Sequence, residues 1–155
     1  MREPGEKVVT LQRVIAADRD FLFSAWVDPA LFAQWFGPKA WRVERCEVDA
    51  QVGGAWRAWF RRGDGSEVYA GGSYLEIEPP SRLAFTWDLD PAGSRHEPVS
   101  VVTVTFNQTA ADTEITIVHR KLGSAQAVDM DVGWTNTLDS LAAFAAARIP
   151  TGDLS

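Results

Sequence analysis

Met130, Trp134, Leu138, Leu141 and Ala145 fall at i, i+4, i+8, i+11 and i+15, which is one apolar stripe along a single helix. Asp129, Asp131, Asn136, Asp139 and Ser140 lie mostly off that stripe. Gly123-Ser124 can open the helix, the run from Ala142 to Ala147 favours it by propensity, and Pro150 ends it. A helix of about 20 residues is about 30 Å long. A stripe of that length needs an apolar surface of matching length to cover it, and only the upstream chain can supply one.

The upstream chain is mostly strands. Val8 to Ile15 reads as a first strand. Asp18 is a good N-cap for a helix carrying Phe21, Leu22, Ala25 and Trp26. Asp28-Pro29 starts a second helix with Leu31, Phe32, Trp35 and Phe36, stopped by Gly37-Pro38. Six strands then follow: Trp41–Asp49, Ala55–Arg61, Glu67–Ile77, Arg82–Leu89, Val99–Phe106 and Thr113–Lys121. Turn residues separate them, with Asn107 to Asp112 joining the last two. Gly53-Gly54 marks a turn and Gly71-Gly72 a strand bulge. The order β-α-α, six strands, then α predicts an α+β domain whose curved antiparallel sheet wraps the last helix. Residues 1–155 form one domain in this reading, with 1–7 and 151–155 as flexible ends.

Bulk properties exclude several function classes. Apolar residues make up 46% of the chain, too many for a disordered one. Asp plus Glu number 21 against 15 Lys plus Arg, a net charge of -6, which opposes a nucleic-acid backbone. Arg57, Arg61 and Arg62 lie together, but Asp64 and Glu67 dilute them. Cys46 is the single cysteine, and an inert, partly buried thiol fits its strand position better than a nucleophile. One cysteine and two distant histidines give no metal-ligand spacing, and no phosphate loop follows the glycine pairs, so no cofactor is expected. With no apolar run of membrane-spanning length and no signal core, a cytoplasmic location is the default expectation.

Several blocks carry a family resemblance. They are Asp28-Pro29 with Trp35-Phe36-Gly37-Pro38, Asp49 with Gly53-Gly54-Ala55-Trp56, and Asp64-Gly65. Gly72 to Ile77, Pro79 to Trp87, His119 with Leu122, and Gly133-Trp134 with Leu138 and Leu141 continue the series. In this order and spacing the chain resembles the START-like (SRPBCC, helix-grip) superfamily. Within it the chain is similar to homologues of the C-terminal domain of the activator of Hsp-ninety ATPase. The resemblance implies a helix-grip fold with a cavity between sheet and C-terminal helix. It leaves the role open among ligand binders, cyclases and co-chaperone domains.

The cavity reading names its walls. Trp56, Phe60, Phe85, Trp87, Met130, Trp134 and Leu138 would enclose a hydrophobic or aromatic small molecule, and Tyr74 and His119 would add polar contacts. Trp87 and Trp134 fit a packed core and a pocket wall equally well, whereas Trp26 fits core better. His119 shares strand parity with Ile115 and Ile117 and so points inward. It suits either a satisfied strand-end histidine or a ligand contact, and no nearby Ser, Cys or Asp is placed by sequence to complete a triad. Two other readings stand beside this one: a co-chaperone domain that stimulates a heat-shock-protein ATPase, and a cyclase or hydrolase using His119 as base. Monomer and homodimer are both compatible with the sequence.

Overall fold

The computed structural model describes residues 7–36, 42–89, 100–122 and 124–148. Of 7, 88–89, 121–122, 124–132 and 148 it describes the backbone alone. The chain runs β1 (Lys7–Ile15), α1 (Arg19–Val27), α2 (Pro29–Phe32), β2 (Arg42–Val48), β3 (Ala55–Arg61) and β4 (Glu67–Glu78). It continues through β5 (Arg82–Leu89), β6 (Ser100–Thr109), β7 (Asp112–Leu122) and α3 (Ser124–Arg148). This is the predicted α+β helix-grip order. The ends expected to be flexible fall on 1–6 and 151–155, outside the described residues, while Lys7 already pairs with Leu122.

The strands form one antiparallel sheet in the order β1-β7-β6-β5-β4-β3-β2. After β1 crosses to the far side of β7, every later strand pairs with its chain neighbour, because short turns favour antiparallel hairpins. The inner face carries Trp56, Ala58, Phe60, Leu83, Phe85, Val102, Val104, Ile115 and Ile117, all buried. Against it lie α1, α2 and the stripe of α3, where Trp134, Leu138, Leu141 and Ala145 are buried. The Met130 side chain lies outside the described residues. An ion pair between Arg13 of β1 and Asp139 of α3 links sheet edge to helix. The other edge, β2, carries Arg42, Glu44, Arg45 and Glu47, a charge density that blunts edge-to-edge pairing.

Three local expectations need correction. The second helix was expected to reach Phe36, but α2 is a single turn ending at Phe32. Irregular turns follow, which swing Trp35 and Phe36 into the interior. The predicted bulge at Gly71-Gly72 is absent, since β4 keeps regular register with β3 there. The irregularity against β5 lies instead between Tyr74 and Glu76. Finally, β6 and β7 run past the predicted turn and pair to Thr109–Asp112. Gln108 holds this longer hairpin, donating to the carbonyls of Ala110 and Asp112 and accepting from the Arg19 N–H at the start of α1.

Ala110 sits in that hairpin turn at φ 50°, a left-handed conformation that costs an L-residue about 1–2 kcal/mol. Ala110→Gly removes this strain but loosens the unfolded chain. The net expectation is a gain of about 0.5–1 kcal/mol, read as a higher denaturation midpoint at unchanged slope.

Candidate functional site

The interior beside α1 and α2 is built almost wholly of aromatic rings. Asp18 caps α1 through the Phe21 N–H, and Asp28 caps α2 through the Ala30 N–H at 2.9 Å. These caps set the two helix starts and so aim Trp26, Phe32, Trp35 and Phe36 at the sheet. Trp26 lies edge-on to Trp35 at 4.9 Å and stacks on Trp134 at 6.1 Å. Phe36 stacks on Phe60 at 5.9 Å, and Trp56 meets Phe85 and Trp87, each at 5.4 Å. A small void remains among Trp26, Phe32, Phe36, Trp56, Tyr74, Leu83 and Phe85. About 10 Å³ of it is open to the centre of a water molecule, room for one water.

Four indoles are buried in this interior, and their N–H groups differ. Trp35 donates to the Ala25 carbonyl at 3.0 Å, closing a free carbonyl at the end of α1. Trp56 donates to the Thr86 carbonyl at 3.1 Å, and Trp134 donates to His119 Nδ1 at 2.9 Å. The Trp26 N–H has no partner among the described residues, although the side chain is 2% exposed. An unsatisfied buried donor costs about 1–3 kcal/mol.

Beside the void, His119 is the centre of a closed hydrogen-bond chain. Its Nε2 lies 2.7 Å from Ser100 Oγ, and Ser100 in turn donates to the Trp87 carbonyl at 3.2 Å. An indole N–H only donates, so Nδ1 is the acceptor and the neutral ring carries its proton on Nε2. That proton goes to Ser100, whose own proton goes to Trp87. The chain ties α3, β7, β6 and β5 together with every donor matched. Burial pushes His119 down to about 4 from its ordinary 6.5, so the ring is neutral near pH 7. A serine 2.7 Å from a histidine has the spacing of a nucleophile and its base. This pair has the wrong tautomer for that role: Nε2 already holds a proton and cannot take one from Ser100.

The family described as Activator of Hsp90 ATPase homolog 1-like protein matches residues 16–146. The chain belongs to this family. Solved structures agree. A protein from Chromobacterium violaceum is 29% identical at a TM-score of 0.80, covering 92% of this chain and 98% of that one. The AHSA1 protein of Silicibacter pomeroyi is 26% identical at a TM-score of 0.80, covering 91% and 99%. The AHSA1-like protein of Aeromonas hydrophila, 22% identical at 0.77 over 91% and 93%, shares the fold. No curated protein matches the chain. The family includes both Hsp90 ATPase activators and ligand-binding domains, and its helix-grip architecture is the one found here.

The nine predicted site residues, seven walls and two polar contacts, divide into groups. Trp56, Tyr74 and Phe85 line the void. Trp87, His119 and Trp134 form the adjoining group, with Trp87 and Trp134 rings 5.5 Å apart. Phe60 and Leu138 are buried in the surrounding core, and Met130's side chain lies outside the described residues. Sequence reasoning missed Phe32 and Phe36 as walls, Trp26 as the unsatisfied donor, and Ser100 as the histidine's partner. The close run of aromatics Phe32, Trp35 and Phe36 was the available signal for the first two. No local signal marks Ser100, which meets His119 only because β6 and β7 pair.

Charge is kept outside this interior. None of the described side chains lining the void is charged. Arg61 is bidentate on Glu44 at 2.8 and 2.9 Å and also reaches Glu67, while Arg57 pairs with Glu47. On the outer face Arg45 lies 3.9 Å above the Trp59 ring, and Trp59 stacks on Tyr69. Cys46 touches the Pro29 carbonyl, and burial, with Glu47 nearby, pushes its thiol up and away from the reactive thiolate. Among the described residues no three metal-ligating side chains converge, and no helix is long and apolar enough to cross a membrane.

Proposed function

We propose that this protein binds a small apolar, ring-bearing molecule between the α1–α2 pair and strands β3 to β5. The observation that carries the reading is Trp26, whose indole lines an aromatic void and whose N–H is buried without a partner among the described residues. Buried polar groups are nearly always paired, and exceptions concentrate where something else completes them. In this conformation the void has room for one water, so a ring enters only as the short helices move off the sheet. α2 is a single turn, and its backbone bonds are all local, running within Asp28 to Phe36, so moving it breaks no strand ladder.

Indole N–H resonances test this directly. Titration with a neutral naphthalene-sized probe is expected to shift the Trp26 and Trp56 indole signals saturably. Trp59, on the outer face, serves as the silent control. Inner indoles that stay fixed up to the probe's solubility limit would remove the proposal.

The family match favours a second reading, a domain that stimulates Hsp90 ATP turnover. The nearly filled interior suits a protein whose work is done on its surface. Turnover measured with and without the protein separates the two. Stimulation at micromolar concentrations, with no probe-induced indole shifts, would favour the chaperone reading.

A further inference from the structure

We infer that the molecule taken up beside Trp26 is uncharged and presents a single hydrogen-bond acceptor, such as a ring carbonyl, to the Trp26 indole N–H. The inference rests on the binding reading above and adds the chemistry of what is bound. Its first ground is the donor itself. Trp35, Trp56 and Trp134 spend their N–H groups on protein acceptors, and Trp26, equally buried, does not. A ligand oxygen placed there recovers the cost of an unmade bond, which a bare hydrocarbon cannot do.

The second ground is charge. The described walls of the void are Phe32, Phe36, Leu83, Phe85 and three rings with polar atoms: Trp26, Trp56 and Tyr74. The Trp56 N–H is already spent on Thr86. No cation stands among them to pair with a carboxylate or phosphate. Burial holds the Tyr74 phenol protonated, with Cys46 and then the carboxylate of Asp49 adding to it. A site that keeps a phenol neutral also rejects an anionic ligand, because a buried unpaired charge costs several kcal/mol. A cation has no carboxylate on the described wall to meet and is excluded by the same desolvation.

Opening the α1–α2 pair lowers the apparent affinity of all ligands by one common factor. Ratios between ligands of equal shape therefore report the wall chemistry alone. Three probes share a naphthalene body: 2-acetonaphthone with a carbonyl, 2-isopropenylnaphthalene with a methylene in place of that oxygen, and 2-naphthoate with a charge. The wild-type protein is expected to bind the ketone about five- to tenfold more tightly than the alkene, the effect of one hydrogen bond. The naphthoate is expected to bind more weakly than either. Trp26→Phe keeps a ring and removes the N–H, so it should bring the ratio of ketone to alkene affinity to about one, whatever the smaller ring does to both affinities together.

Equal binding of ketone and alkene to the wild-type protein overturns the acceptor claim while leaving the binding reading intact. Preference for the naphthoate overturns the neutrality claim. Binding of none of the three overturns the binding reading itself, and this inference with it. If Trp26→Phe does not fold, the Trp26 indole proton in the wild-type protein decides. It moves downfield with the ketone and not with the alkene if the bond forms, and the inference fails if the two shifts are alike.

Discussion

Gly72→Ala is expected to destabilise the protein by about 3 kcal/mol or more, beyond the usual cost of overpacking. A Cβ at Gly72 would lie 1.9 Å from the Thr86 carbonyl oxygen and 2.6 Å from its hydroxyl, both atoms of the neighbouring strand β5. Backbone in the middle of a sheet cannot give way as a side-chain tip can. The reason for the close approach is visible across the strands. Trp56 pairs with Gly72, and its indole reaches over β4 to the same Thr86 carbonyl. A side chain at position 72 would obstruct that reach as well as the ladder. Chemical denaturation should show the midpoint falling steeply. Gly133→Ala provides the contrast, since its Cβ meets no described atom within 4 Å inside α3. There the change should stabilise by about 0.5–1 kcal/mol through helix propensity. Similar, small effects at both positions would show that the tight crossing at Gly72 is wrong.

Acidification is expected to remove on the order of 3 kcal/mol of stability through His119 alone, from a shift between 6.5 and about 4 at 1.36 kcal/mol per unit. The folded value lies below the unfolded one. The unfolded chain therefore binds more protons between those two values, and stability rises with pH across that window. The contribution is complete above about 6.5, declines as pH falls toward 4, and is constant below that. Structurally, protonating Nδ1 means breaking the 2.9 Å bond from Trp134 and setting two donors face to face. His119→Gln removes the titration. Its stability between pH 6.5 and 4.5 should be flatter than that of the wild-type protein, although lower in absolute terms from lost packing. An unchanged slope in that variant would mean the ring is not the buried neutral group described. The same measurement bears on catalysis, because a base working near neutral pH would titrate higher.

Local chemistry made most of the fold legible. The alternating spacing of four and three along Trp134, Leu138, Leu141 and Ala145 identified α3 and its buried face, because a helix has only one way to align such a spacing. Asp18 and Asp28-Pro29 marked both helix starts for the same reason, a cap being satisfied within three residues of itself. His119 was placed inward by parity with Ile115 and Ile117, and all three are fully buried. Errors came where two effects compete. Phe36 kept the helical spacing of α2, yet burial of Trp35 and Phe36 won over continuing the helix. Thr109 and Asp112 look like turn residues, yet Gln108 braces the backbone and lengthens the hairpin.

The candidate site was legible only in part. Seven tryptophans announce an aromatic interior. Which of their N–H groups remain unspent is invisible in the chain, since Trp26 and Trp35 read alike as apolar stripe residues. A hydrogen bond exists only when an acceptor arrives within about 3 Å at the right angle. For Trp134 that acceptor comes from β7, for Trp56 from β5, and for Trp26 from nowhere in the described interior. The sequence by itself determined the elements, their order and the apolar face of each, because those follow from spacing along the chain and contacts a few residues long. Only the tertiary structure decided that His119 is locked in one tautomer and that Trp26 is left with a proton to offer. Both depend on how distant strands and helices come to rest against one another.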